Sequence, residues 1–121
     1  MTQQDVDEHR VAIAELASEY WKLLRNYDHV LAAAPENLRA GLTAQAKFGA
    51  RRLATILAGT GMRVETFDGV AYSVNLPVTA VNADDFADGA VPVIEQTLEP
   101  AIIFGTAPIK TGRVYLRASN Q

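Results

Sequence analysis

The chain has no cysteine, which removes disulfides, thiolate metal sites and cysteine nucleophiles together. Histidine is nearly as scarce. His9 and His29 are the only two, and they stand twenty residues apart on what reads as one helix, so they cannot meet on a metal ion within one chain. Long apolar runs are missing as well, since nothing approaches the ~18 to 20 residues that a membrane-spanning helix needs. The stretch from Met1 to Glu8 is polar and acidic, unlike a signal peptide, and the compartment expected is the cytoplasm. Positive charge is nowhere concentrated. Against 14 Asp and Glu stand 11 Lys and Arg, a net charge of -3, and Arg51-Arg52 is the longest basic run. This balance argues against nucleic acid or an anionic membrane as a partner.

The motifs that carry chemistry are also absent. No P-loop, nucleophile elbow or dinucleotide fingerprint occurs. Asp84 and Asp85 are sequence neighbours and point apart on a regular element, which disfavours an acid/base couple. Asn82, Asp84, Asp85 and Asp88 are spaced like part of a calcium loop, yet Phe86 takes the fifth position and no glutamate stands at the twelfth. Capping and turn formation account for them. The expectation is a chain without metal, cofactor or catalytic residues, and not an enzyme.

What is present is apolar patterning. The 121 residues are 49% apolar and 21% charged, enough to build the core of one domain. From Val6 to Ala34 a helix is expected, starting near Asp5 with Thr2 or Asp5 as its cap. With Ile13 at heptad position a, the a column reads Ile13, Tyr20, Tyr27, Ala34, the d column Leu16, Leu23, Val30, and the e column Ala17, Leu24, Leu31. Three apolar columns suit a helix packed on more than one neighbour, with His9 falling at d on the buried stripe. Pro35 ends this helix and opens a second, Glu36 to Ala58. Its buried face is read as Leu38, Leu42, Ala46, Gly49, Leu53, Ile56 and Leu57, with Gly49 at a close crossing and Gly59-Thr60-Gly61 as the stop.

From Met62 the period changes to two. Arg63 to Phe67 and Val70 to Val74 flank Asp68-Gly69 as an expected hairpin, and Leu76 to Val81 reads as a short strand. Asn82 to Phe86 reads as a capped turn or one helical turn. A long strand is expected from Val91 to Phe104, with a bulge or edge at Pro100, returning across Gly105 to Pro108 as Ile109 to Arg117. Lys110, Arg113 and Arg117 are expected to point outward there, while Val114 and Leu116 share a face. The fold class expected is α+β: an N-terminal antiparallel helical hairpin (residues 1–61) for dimerisation, then a small antiparallel β domain (62–121) for partner binding.

Three segments in order resemble the GrpE family, the nucleotide exchange factors of DnaK-type chaperones. They are Leu23 to Ala34, similar to the family's helix with its Leu-Leu, Asp and Ala/Leu-rich end; Ala54 to Glu65, where a last helix ends at a glycine and enters a β domain; and Val93 to Glu99 running on through Gly105, Ile109, Lys110 and Val114, similar to the family's final hairpin. The family's proline-x-leucine-histidine signature is absent between Tyr72 and Val81, and Thr106 stands where the family's last hairpin carries an arginine after its glycine. The resemblance implies a stress-response co-chaperone, a homodimer held by its helices, whose β domain opens the nucleotide cleft of a chaperone ATPase domain. For the dimer interface it points to Ile13, Leu16, Tyr20, Leu23, Leu24, Tyr27 and Leu31, with Trp21 at a second seam or the β junction. For the chaperone contact it points to Phe86, Ile102, Phe104, Lys110 and Leu116. Two alternatives stand beside it: a non-catalytic adaptor or assembly protein of similar shape, and a small α+β domain with a ligand pocket near Trp21, Tyr72 and Tyr115.

Overall fold

Thr2 opens the first helix by a reciprocal cap. Its Oγ1 accepts from the Asp5 backbone N–H at 3.2 Å, and the Asp5 carboxylate accepts from the Thr2 N–H at 3.3 Å. In this computed structural model, which describes residues 2–119, the helix runs Gln3–Ala32 (α1), followed by a turn through Pro35 and a second helix, Glu36–Gly59 (α2). Met1, Asn120 and Gln121, at the ends of the two ranges expected above, lie outside the described residues.

The two helices form the expected antiparallel hairpin. The Tyr20 hydroxyl donates to the Gly49 carbonyl and the Tyr27 hydroxyl to Gln45 Oε1, both at 3.3 Å. A Cβ at Gly49 would stand 3.2 Å from Leu24, so the glycine does permit the close crossing. Gly61, at φ 79°, then turns the chain into the β region, and its missing side chain leaves room for the Phe104 ring.

Among the described residues six strands follow: β1 (Met62–Glu65), β2 (Val78–Ala80), β3 (Val93–Glu99), β4 (Ala101–Phe104), β5 (Ala107–Lys110) and β6 (Gly112–Arg117). They make two three-stranded sheets, an antiparallel one in the order β1-β4-β5 and one in the order β2-β6-β3, in which β2 lies parallel to β6. The fold is therefore α+β.

The long strand expected from Val91 to Phe104 is divided. Pro100 cannot donate to a ladder, and there the chain leaves the second sheet and enters the first. It returns between Lys110 and Gly112, crossing the same corner. A Cβ at Gly112 would lie 2.8 Å from the Glu99 carbonyl oxygen and 3.0 Å from the Ala101 nitrogen, so only glycine lets the two crossings touch.

The hairpin expected around Asp68-Gly69 does not form. The turn exists, with the Val70 N–H donating to the Phe67 carbonyl, but β1 pairs with β4. The arm after the turn meets the start of β3 through Ala71 opposite Val93. The Asp68 carboxylate accepts from the Thr97 N–H at 2.7 Å and Thr97 Oγ1 accepts from the Phe67 N–H at 2.9 Å, which ties the turn to β3 instead.

Two cores result. In the first, Ala14 and Ala17 of α1 and Leu53 and Leu57 of α2 pack with Met62 and Ile102, so the hairpin and the first sheet share one interior. The second, made by Phe67, Ile94, Ala101, Ile103, Val114 and Leu116, lies inside the β region.

Candidate functional site: the open face of the hairpin and the β module

The expected dimer residues divide by side. Leu31 is buried within the chain, and Ile13, Leu24 and Tyr27 are half-buried against the hairpin, as is Trp21, which packs on the first core. The d column is different: Leu16 is 71% exposed, Leu23 68% and Val30 70%, with the Tyr20 ring beside them also exposed. His9 continues this column and is exposed, not buried as its heptad position suggested. The second helix adds to the same face. Leu38 and Ile56, expected in the buried stripe of α2, are more than half exposed, because the line of contact with α1 runs through Leu53 and Leu57. Phe48, which lies outside the apolar stripe expected for α2, is also more than half exposed. A shallow apolar groove of about 250 Å³ runs between the helices here, from Leu16 and Tyr20 to Ile56.

The other flank of α1 is tied to the β module by charge. Lys110 bonds Glu15 at 3.5 Å and approaches Glu99 at 4.0 Å, while Glu99 also meets Arg113 at 3.3 Å and Lys22 at 3.8 Å. Lys22 pairs in turn with Glu19 at 2.9 Å. That hydrogen bond holds the Lys22 ammonium above its ordinary pKa of 10.5; desolvation pulls it down and the charge of Glu99 adds to the rise. Further along, Arg25 meets Asp68 at 3.6 Å, and the Arg10 guanidinium lies 3.8 Å from the centre of the Phe104 ring.

Of the five residues expected to meet a chaperone, two are excluded. Ile102 is 0% and Leu116 2% exposed, each at the centre of a core, because alternate residues of β4 and β6 face inward. Phe86 is half-buried against the second core and Phe104 half-buried beneath Arg10. Lys110 is held by Glu15 and Glu99. The outward face of β6 instead presents Arg113, Tyr115 and Arg117 in alternation, with Tyr115 well exposed between the two guanidiniums. Tyr115 was the signal the sequence offered here, an aromatic at the solvent phase of a period-two strand.

No common pocket joins Trp21, Tyr72 and Tyr115: Trp21 packs on the first core, Tyr72 on the second, and Tyr115 faces outward. A cavity of about 310 Å³ does lie beside Trp21, between the helices and β1, walled by Leu24, Ala54, Met62 and Val64. Asn82 does not cap the short 3-10 turn Ala83–Asp85; its amide brackets the Leu116 backbone, accepting from the N–H and donating to the carbonyl at 2.9 Å each. Among the described residues no helix is long and apolar enough to cross a membrane, and no group of three or more His, Asp or Glu could hold a metal ion. No protein-family model matches the chain, and neither the curated proteins nor the solved structures give a significant match.

Proposed function

We propose that this chain is a GrpE-like co-chaperone, a nucleotide exchange factor that self-associates through its helical hairpin and promotes ADP release from a cytoplasmic DnaK-type ATPase. The observation that carries this reading is the shared interior of hairpin and β module, through Ala14, Ala17, Leu53, Leu57, Met62 and Ile102. An exchange factor performs no bond chemistry. It binds the open, nucleotide-poor form of its partner more tightly than the closed form, and that difference in affinity expels the nucleotide. A β module on a loose tether would follow the closed cleft and discriminate poorly, whereas one fixed to a rod holds a single shape against the partner. The ion pairs from Glu15 and Lys22 to Lys110 and Glu99 reinforce that fixation.

With Ile102 and Leu116 in the cores, the contact passes to the outward face of β6. Tyr115 flanked by Arg113 and Arg117 has the composition of an interface hot spot. The adaptor reading keeps one specific support, Thr106 at the exposed turn of the last hairpin where the family carries arginine. The two are separated by loading a DnaK-type ATPase domain with fluorescent ADP. Accelerated release on mixing, weakened about tenfold or more by Tyr115→Ala, is expected of the exchange factor. An unchanged release rate removes it and leaves the adaptor.

A further inference from the structure

Where α2 passes into β1, the helices and the strand do not close on one another. The cavity of about 310 Å³ beside Trp21 lies in this gap. Around it Met62 and Leu53 are buried, Trp21, Leu24 and Val64 are half-buried, and Ala54 and Ala58 on the α2 side are exposed, so it opens to solvent there. Arg63 is the one charged residue among its walls, and its guanidinium is drawn away to the Gly105 carbonyl at 2.8 Å and to Glu65 at 3.4 Å. Water is poorly held in such a place, because each molecule needs two to four polar partners that apolar walls do not supply.

The hollow does not end at Leu24 and Ala50. Both residues also line a second one of about 260 Å³, further along the hairpin toward Pro35, whose other walls are Asp28, Thr43, Ala46 and Lys47. The two in line make a cleft that is apolar at one end and polar at the other. Charge at the polar end is uneven. Lys47 and Arg51 lie one turn apart on α2, and among the described residues no ion pair engages either. Asp28, across the hollow on α1, offsets one of these cations and leaves the other uncompensated.

We propose that this cleft binds a linear monocarboxylate of about ten carbons, with its chain against Trp21, Leu53 and Val64 and its carboxylate at Lys47. The inference goes beyond the exchange-factor reading and does not depend on it. Size, shape and charge each select the ligand. An apolar cavity of about 150 Å³ holds benzene, so one of about 310 Å³ has room for roughly twelve carbons. Two hollows in line along α2 suit an extended chain better than a fused ring. At the head, the Lys47 ammonium and the Thr43 hydroxyl can both donate to a carboxylate. An ammonium head would meet Lys47 and Arg51, and a dianionic phosphate would be repelled by Asp28. The bound chain would touch α1, α2 and β1 together, so it would also brace the joint between hairpin and β module.

The test uses the full chain without a chaperone, so a failed exchange assay would not touch it. Trp21 is the only tryptophan, and its emission reports the cleft directly. Titration with decanoate is expected to give a saturable change with Kd below about 1 mM, and affinity should rise about fourfold per methylene from hexanoate to decanoate. Saturating decanoate should raise the melting temperature, whereas diffuse detergent-like binding would lower it. Ala54→Leu fills the apolar end at an exposed helical site, so it should weaken decanoate at least tenfold while the unliganded chain melts as before. Lys47→Met should weaken decanoate about five- to tenfold and leave decanol unchanged. The parent chain alone decides the main point: no saturable change, equal affinity for hexanoate and decanoate, or decylamine bound as tightly as decanoate would each overturn the proposal. Undiminished decanoate binding by Ala54→Leu would do the same.

Discussion

The two flanks of α1 invert the usual relation between side-chain size and burial. On the flank closed by the rest of the chain, three of the four buried residues are small, Ala14, Ala17 and Ser18, and Leu31 near the end of the helix is the fourth. On the open flank stand Leu16, Leu23 and Val30, each about two-thirds exposed or more. Small side chains suit a flank on which neighbouring elements come close, as they do at Gly49 of α2, where an added Cβ would stand 3.2 Å from the Leu24 side chain of α1. Large side chains left in water gain nothing for an isolated chain, since each forgoes roughly 1.5 to 3 kcal/mol of burial. The helix thus reads as having one finished seam and one unfinished seam, and the unfinished one bears the larger apolar groups.

The difference is sharpest where the finished side tolerates least. Gly112→Val places side-chain atoms against the Glu99 carbonyl and the Ala101 nitrogen, where the two sheet crossings meet. Thermal unfolding is expected to show a loss of about 3 kcal/mol or more, beyond ordinary overpacking because the atoms met are backbone. Next in size is a matched pair of truncations. Ile102→Ala empties the centre of the first core and should cost about 2 to 5 kcal/mol. Leu23→Gln, on the open side, should change the stability of diluted monomer by less than about 0.5 kcal/mol. Equal losses in urea titrations of the two variants would erase the distinction between the flanks.

Much of the helical half was legible in sequence because its signals are local. The Thr2 and Asp5 cap, Pro35 between the helices and the glycines after Ala58 mark boundaries through backbone chemistry that needs no distant partner. The apolar columns were legible as columns, but their sidedness was not. Columns a, d and e look alike in sequence; the structure packs e against α2, leaves d open, and only the placement of the β module decides between them. In the β half, alternation identified Val78–Ala80 and the β4–β5 turn, yet a period of two says nothing about which strand is the partner. So the Asp68-Gly69 turn was found while its arms were misassigned to each other. Pro100 was readable as an interruption, but the change of sheet depends on Gly112, which meets Glu99, Pro100 and Ala101 only through tertiary contact. Asn82 was read as a cap because that is its commonest role beside Asp84 and Asp85; here its amide serves the Leu116 backbone as an extra strand would.

The smallest effect concerns the charge that links the finished flank to the β module. Lys22 bonds Glu19 and faces Glu99, and its ammonium is held above the ordinary 10.5. A raised pKa in the folded chain means that folding favours the protonated form. Its contribution is therefore complete below pH 10.5 and fades as pH rises through the higher folded value. The informative quantity is the difference in melting temperature between the parent chain and Lys22→Met, in which pH effects common to both chains cancel. That difference should be positive and flat from about pH 7 to 9 and shrink above 10.5. Added salt should reduce it as well, because Lys22 is one-third exposed and its partners are reached by solvent. A difference that stayed constant through pH 11.5, or was zero throughout, would show that apolar packing at Ile102 and Met62 alone holds the β module to the rod.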